Sequence, residues 1–102
     1  MVSIASLAEL GALFGNPARA SMLAALMGAH ELTATELARR AGIAPQTASG
    51  HIARLTSAGL LSIEKRNRHR YHRLASAELR LMLERLAGIV AVISDKQRKG
   101  RR

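Results

Sequence analysis

With 102 residues and a net charge of +9, the chain has room for one domain and one core, and its excess of cations points to a polyanionic partner. Aromatic residues make up only 2 %, so the core must be assembled from Leu, Ile, Val, Met and Ala, side chains that suit close helix–helix packing. Cysteine is absent, which excludes a disulfide framework, a thiolate metal site and thiol redox sensing.

The segment "SIASLAELGALFG" sets Ile4, Leu7, Leu10 and Phe14 on one helical stripe. It ends at "GNP", where Pro17 biases Asn16 away from the helical region. Pro17 suits the first turn of a second helix, "PARASMLAALMGA", expected to close at Gly28. A third helix opens at Thr33 in "TATELARRAG"; Glu36 stands three residues on, at capping-box spacing, and Gly42 terminates it. The fourth, "APQTASGHIARLTSAG", has Pro45 in its first turn and Gly59 at its stop. "LLSIEK" and "HRYHRL" alternate, are separated by Arg66, Asn67 and Arg68, and read as a hairpin. Ser76 then caps a long helix reaching about Asp95, with Leu79, Met82, Leu83, Leu86, Ile89, Val90 and Ile93 on one side.

The expected fold class is therefore mainly α with a small β-hairpin, in the order α-α-α-α-β-β-α over residues 1–95. Two short helices joined by "AGIAP" and followed by a two-stranded hairpin make a winged helix-turn-helix. Residues 96–102 form a basic tail, expected to be disordered and to add non-specific attraction to phosphate. No segment reads as a signal peptide or a membrane span, so a reducing cytoplasm is the expected location and no membrane partner is expected.

The positive charge is localised. Residues 35–74 carry eight Lys or Arg against Glu36 and Glu64, whereas residues 1–34 carry only Arg19 against Glu9 and Glu31. In the fourth helix Ala48, Ile52 and Leu55 form the buried stripe, so the opposite face carries Gln46, Thr47, Ser49, Gly50, His51 and Arg54. Gln pairs with adenine, Arg with guanine, and Ser or Thr with phosphate or either base type, so this face is expected to meet double-stranded DNA in the major groove. Arg66, Arg68 and Arg70 on the wing are expected to reach the backbone or the minor groove. The first and last helices carry broader apolar stripes than one small core needs. Ile4, Leu7, Phe14, Leu79, Met82, Leu86, Ile89, Val90 and Ile93 are accordingly expected at a homodimer interface.

Taken together, "GNPAR", "TASGHIARL…AGLL" and a basic wing ending in "YHRL" resemble the ArsR-type winged-helix repressors over roughly residues 4–94. The resemblance implies a dimer that binds inverted-repeat operators and releases DNA when a metal ion or another effector binds. The chain departs from that pattern in three places. Thr33 and Thr35 stand where many metal-sensing relatives place a Cys-x-Cys pair, and hydroxyls there make no soft-metal site. The last helix has no histidine, which removes the other inherited metal site. Gly50 stands where relatives commonly have Arg or a long polar residue; it costs a helix interior roughly 1 kcal/mol relative to alanine, and either the backbone comes unusually close to DNA there or base reading is less demanding.

Of the four histidines, His69 and His72 are three apart on a strand and point to opposite faces, so they do not share one ion. The resemblance places His51 beside the sugar–phosphate backbone. No metal site and no cofactor are expected, and an effector is non-metal, unknown or absent. The leading reading is a dimeric, sequence-specific transcriptional regulator, a repressor. The alternative is an RNA-binding or protein-interaction module on the same winged domain, against which the shortage of aromatics for base stacking counts. An enzyme is excluded by the absence of cysteine, of a Ser–His–acid ordering and of paired carboxylates.

Overall fold

The computed structural model describes residues 4–100, with side chains described over 7–97. In chain order the elements are α1 (Ile4–Phe14), α2 (Pro17–Gly28), β1 (Leu32–Thr33), α3 (Ala34–Ala41), α4 (Pro45–Ser57), β2 (Leu61–Arg66), β3 (His69–Leu74) and α5 (Ala77–Gly100). This is the expected winged helix-turn-helix order with one addition, β1. Among the described residues no helix is long and apolar enough to cross a membrane.

Local chemistry accounts for most boundaries. Asn16 is extended, and its Oδ1 accepts the Arg19 backbone N–H at 3.1 Å, so the chain leaves α1 and enters α2 through a side-chain cap with Pro17 at the first position. The Thr33 capping box forms in full: Thr33 N–H donates to Glu36 Oε1 at 2.8 Å, and Glu36 N–H donates to Thr33 Oγ1 at 3.2 Å. Gly42 closes α3 in the left-handed region at φ 67°, and Gly59 turns the chain out of α4 at φ 82°. Gly28 plays no such part. The residue after it is extended, and the end of α2 is capped from a distance by Arg80 on α5, whose Nη1 and Nη2 donate to Met27 O and Leu26 O, both at 2.8 Å.

The capping box gives a pH-dependent contribution of known sign. Hydrogen bonds from the Thr33 backbone and side chain, with Arg39 and Arg40 nearby, hold the Glu36 carboxyl below the usual 4.5. A depressed folded-state value stabilises the fold fully above the unfolded-state value, and that contribution disappears as pH falls through the folded-state value. Glu36→Gln is therefore expected to be less stable than the parent near neutrality. Urea titrations run from about pH 7 to about pH 3 should show the gap narrowing only below about 4.5; a gap that is constant with pH would assign the cap's contribution to shape alone.

The hairpin has a shorter turn than the expected Arg66–Arg68 connection. Arg66 pairs with His69, leaving Asn67 and Arg68 as a two-residue turn with φ of 47° and 72°. Positive φ at both positions matches the right-handed twist of the strands. β1 pairs antiparallel with the outer side of β3, Leu32 against His72 and Thr33 against Tyr71, giving a three-stranded sheet in the order β1-β3-β2. A two-residue strand has no alternation to read, which is why it was invisible in the sequence.

The core lies where α2, α3 and α4 meet the sheet. Met22, Leu26, Leu37 and Leu55 are its largest fully enclosed side chains, with Leu13, Leu32, Leu61, Leu74 and Leu83 around them. α5 seats on this body through Leu83 and Leu79 and then runs on to Gly100, five residues past the expected end at Asp95. The radius of gyration is 14.9 Å, above the ~13 Å expected of a compact domain of this length. The excess fits a helix of 24 residues, about 36 Å long at 1.5 Å per residue.

Candidate nucleic-acid interface

Helix α4 buries Ala48, Ile52 and Leu55, as its spacing requires. Gln46, Thr47, Ser49, Gly50 and Arg54 are exposed on the other side, joined by Ala53 and Ser57. The outward ridge is thus short-chained. The Ser49 hydroxyl donates to Pro45 O at 3.2 Å, which leaves its oxygen lone pairs outward. A Cβ added at Gly50 would meet nothing within 4 Å, so packing inside the chain does not demand glycine there. His51 stands apart from its neighbours: it is half-buried, and its Nδ1 lies 3.1 Å from Nη1 of the buried Arg19.

Pairing along the hairpin sorts the wing into two faces. Leu61, Ile63 and Lys65 of β2 stand opposite Leu74, His72 and Arg70 of β3, all on the side that turns toward α4. Leu61, His72 and Leu74 are buried there, but Ile63 remains 44 % exposed because none of the described residues covers that end of the hairpin. Between this face and α4 lies a concavity of about 460 Å³, bordered by Ser49, Ala53, Ser57, Ile63 and Arg70. Arg68 sits in the turn itself.

The opposite face holds a charged network. Arg66 Nη2 meets Glu31 Oε1 at 2.6 Å, and its Nε meets Glu64 Oε2 at 2.9 Å. Arg73 pairs with the other oxygen of Glu64. The Arg66 guanidinium also lies 4.2 Å from the centroid of the Tyr71 ring, and the Glu31 hydrogen bond raises its pKa further. Exposed pairs of this kind contribute little individually, because water and salt screen them. Their joint effect is directional, because Glu31 precedes β1 and so ties the wing to the body. Arg66 is therefore engaged on the side away from Arg70, and Lys65, which sequence reasoning passed over, shares the Arg70 face.

The histidines also separate. His69 faces Tyr71 on the network side, with ring centroids 6.3 Å apart, whereas His72 is buried with Nδ1 3.2 Å from Leu32 O. A carbonyl only accepts, so His72 carries its proton on Nδ1. Among the described residues no three His, Asp or Glu side chains converge as metal ligands. Arg66 covers one face of the Tyr71 ring and Phe14 is half-buried against the core, which leaves little aromatic surface for base stacking.

Of the expected interface residues, Leu7, Met82, Leu86, Ile89, Val90 and Ile93 are exposed, along with Leu81 and Val92, which the sequence stripe omitted. Phe14 and Leu79 are half-buried in the chain's own core, and the Ile4 side chain lies outside the described residues. Phe14, Leu23, Met27, Leu83 and Val90 border an apolar groove of about 400 Å³ between α2 and α5. Sequence reasoning missed two arginines. Arg19 and Arg80 are the distant caps of α1 and α2, and the sole signal of the former was its place in the "GNPAR" joint.

Comparison with known proteins agrees with this geometry. The profile of a helix-turn-helix domain family matches residues 14–64. The HTH-type transcriptional regulator YdfF of Bacillus subtilis is 40 % identical over 94 residues, covering 92 % of this chain and 42 % of that protein, so the chain spans less than half of its relative's length. The homodimeric winged helix-turn-helix DNA-binding domain of a possible ArsR-family regulator from Mycobacterium bovis superposes with a TM-score of 0.73 at 23 % identity, over 93 % of this chain and 83 % of that one. The antimony-specific transcriptional repressor AntR superposes with a TM-score of 0.68 at 26 % identity, over 95 % and 88 %. These families are DNA-binding regulators and not enzymes. The chain belongs to the helix-turn-helix domain family and has the fold of its ArsR-type winged-helix regulators.

Proposed function

We propose that this chain is a transcriptional regulator that binds an inverted-repeat operator in double-stranded DNA as a homodimer and represses transcription in the cytoplasm. In this reading α4 enters the major groove and the wing meets the backbone or the minor groove. The observation that carries it is the concavity flanked by the small, polar ridge of α4 on one side and by Ile63 and Arg70 on the other, with Lys65 next to Arg70 on the same face of the hairpin. A sugar–phosphate strand passing between the two grooves fits such a trough, with Gln46, Thr47 and Arg54 left to meet base edges. Gly50, which the chain's own packing does not require, lets the helix backbone approach the duplex closely.

The uncovered apolar residues of α5 support a two-fold partner, as does the homodimeric state of the Mycobacterium bovis domain. Two recognition helices would then lie about 34–36 Å apart, one turn of DNA. Repression follows the repressor AntR. Antimony is a soft ion, and with no cysteine in this chain any effector is of another chemical class.

The test is fluorescence anisotropy with the chain's own promoter fragment and a scrambled duplex, across a salt series. Tighter binding to the promoter is expected, and equal affinity would overturn sequence-specific recognition. Lys65→Ala and Arg70→Ala should each weaken both duplexes and flatten the log–log salt slope by about one unit. Arg66→Ala should change the slope less, because Glu31 and Glu64 already offset its charge. A slope change as large as that of Arg70→Ala would place the DNA on the other face of the wing.

A further inference from the structure

The Arg19–His51 contact does more than join two helices. Arg19 is only 7 % exposed, and each of its guanidinium nitrogens is engaged. Nε donates to Leu13 O at 3.0 Å, Nη2 to Ala12 O at 3.2 Å, and Nη1 lies 3.1 Å from His51 Nδ1. A guanidinium has donors only and stays protonated, so Nδ1 is the acceptor. An imidazole that accepts at Nδ1 is neutral and holds its single proton on Nε2. That Nε2 has no partner among the described residues. Nor is it enclosed, since the one buried, unpartnered side-chain atom among them is Glu31 Oε2. An N–H donor of fixed direction therefore opens to solvent on α4, one turn from Thr47 and from Arg54.

We propose that Arg19 is a positioning residue for DNA recognition: it holds the His51 ring neutral and oriented, so that Nε2–H donates to an acceptor on the duplex, a phosphate oxygen or a base-edge acceptor. This rests on the DNA-binding reading above. The same guanidinium caps the final carbonyls of α1, so the direction of the donor is set jointly by α1 and α2 and not by α4 alone.

Two measurements test the proposal separately. The first needs no DNA: two-bond proton–nitrogen correlation spectra of the ¹⁵N-labelled protein at neutral pH. His51 is expected in the Nε2–H form, and a proton on Nδ1, or on both nitrogens, would overturn the arrangement. The second divides the two ring atoms between variants. His51→Asn keeps an acceptor near Nδ1 and removes the Nε2 donor; it should fold and melt like the parent but bind the promoter duplex about tenfold more weakly. His51→Gln reaches toward Nε2 without the Nδ1 acceptor, and should retain part of the affinity while losing thermal stability. Loss on promoter and scrambled duplex alike assigns the acceptor to phosphate, and loss on the promoter alone assigns it to a base. Parent-like affinity in His51→Asn would overturn the donor role. If the parent itself binds no duplex, both the DNA reading and the donor's target fall, and the ¹⁵N spectrum decides the Arg19–His51 arrangement alone. Arg19→Lys, with one nitrogen in place of three, is expected to release His51 to a mixture of tautomers and to lower affinity severalfold without itself touching DNA.

Discussion

Ile89→Glu is expected to give a folded monomer whose affinity for an inverted-repeat operator falls by roughly 10²- to 10⁴-fold, the advantage lost when two linked half-site contacts become one. Ile89 is 58 % exposed in the single chain and has Arg85 four residues before it, so a carboxylate at this position is tolerated in a monomer. At a two-fold interface the same change acts twice and removes two carboxylates from water. Sedimentation equilibrium and operator anisotropy check the expectation together. A variant that remains dimeric at parental affinity would move the interface off this face of α5.

Leu55→Ala is expected to cost about 2–5 kcal/mol, a large part of the 5–15 kcal/mol typical of a small domain. Leu55 is 0 % exposed and anchors the buried side of α4, so its truncation leaves a cavity beneath the helix proposed to enter the groove. The informative comparison is Ile63→Ala, expected to cost less than about 1 kcal/mol because Ile63 is already half in solvent. Alternation along the hairpin puts Ile63 on the same face as Leu61 and Leu74, yet Leu61 and Leu74 are buried and Ile63 is not. Urea midpoints of the two variants measure the difference, and equal losses would mean that the wing face is covered by an element of a second chain.

Much of the site was legible before folding because it depends on neighbours within a few residues. The stripe of Ala48, Ile52 and Leu55 required Gln46, Thr47, Ser49, Gly50 and Arg54 to face outward, and the Thr33–Glu36 spacing specified a cap that forms as read. The hairpin's alternation separated His69 from His72. Other features could not be read this way. Nothing local to Arg66 announces that Glu31, 35 residues earlier, will hold it on the side away from α4. Nothing local to His51 announces Arg19, 32 residues earlier, as the partner of its Nδ1. Arg80 likewise caps α2 across more than 50 residues of sequence.

By itself the sequence determined the order of elements, the basic middle segment and the polar face of α4, since hydrophobic period, proline and glycine positions and short-range caps act along the chain. Only the tertiary structure decided which cations remain available and which are spent on carbonyls and carboxylates inside the protein, because those partners are brought together by the packing of α1, α2 and β1 against α4, the wing and α5.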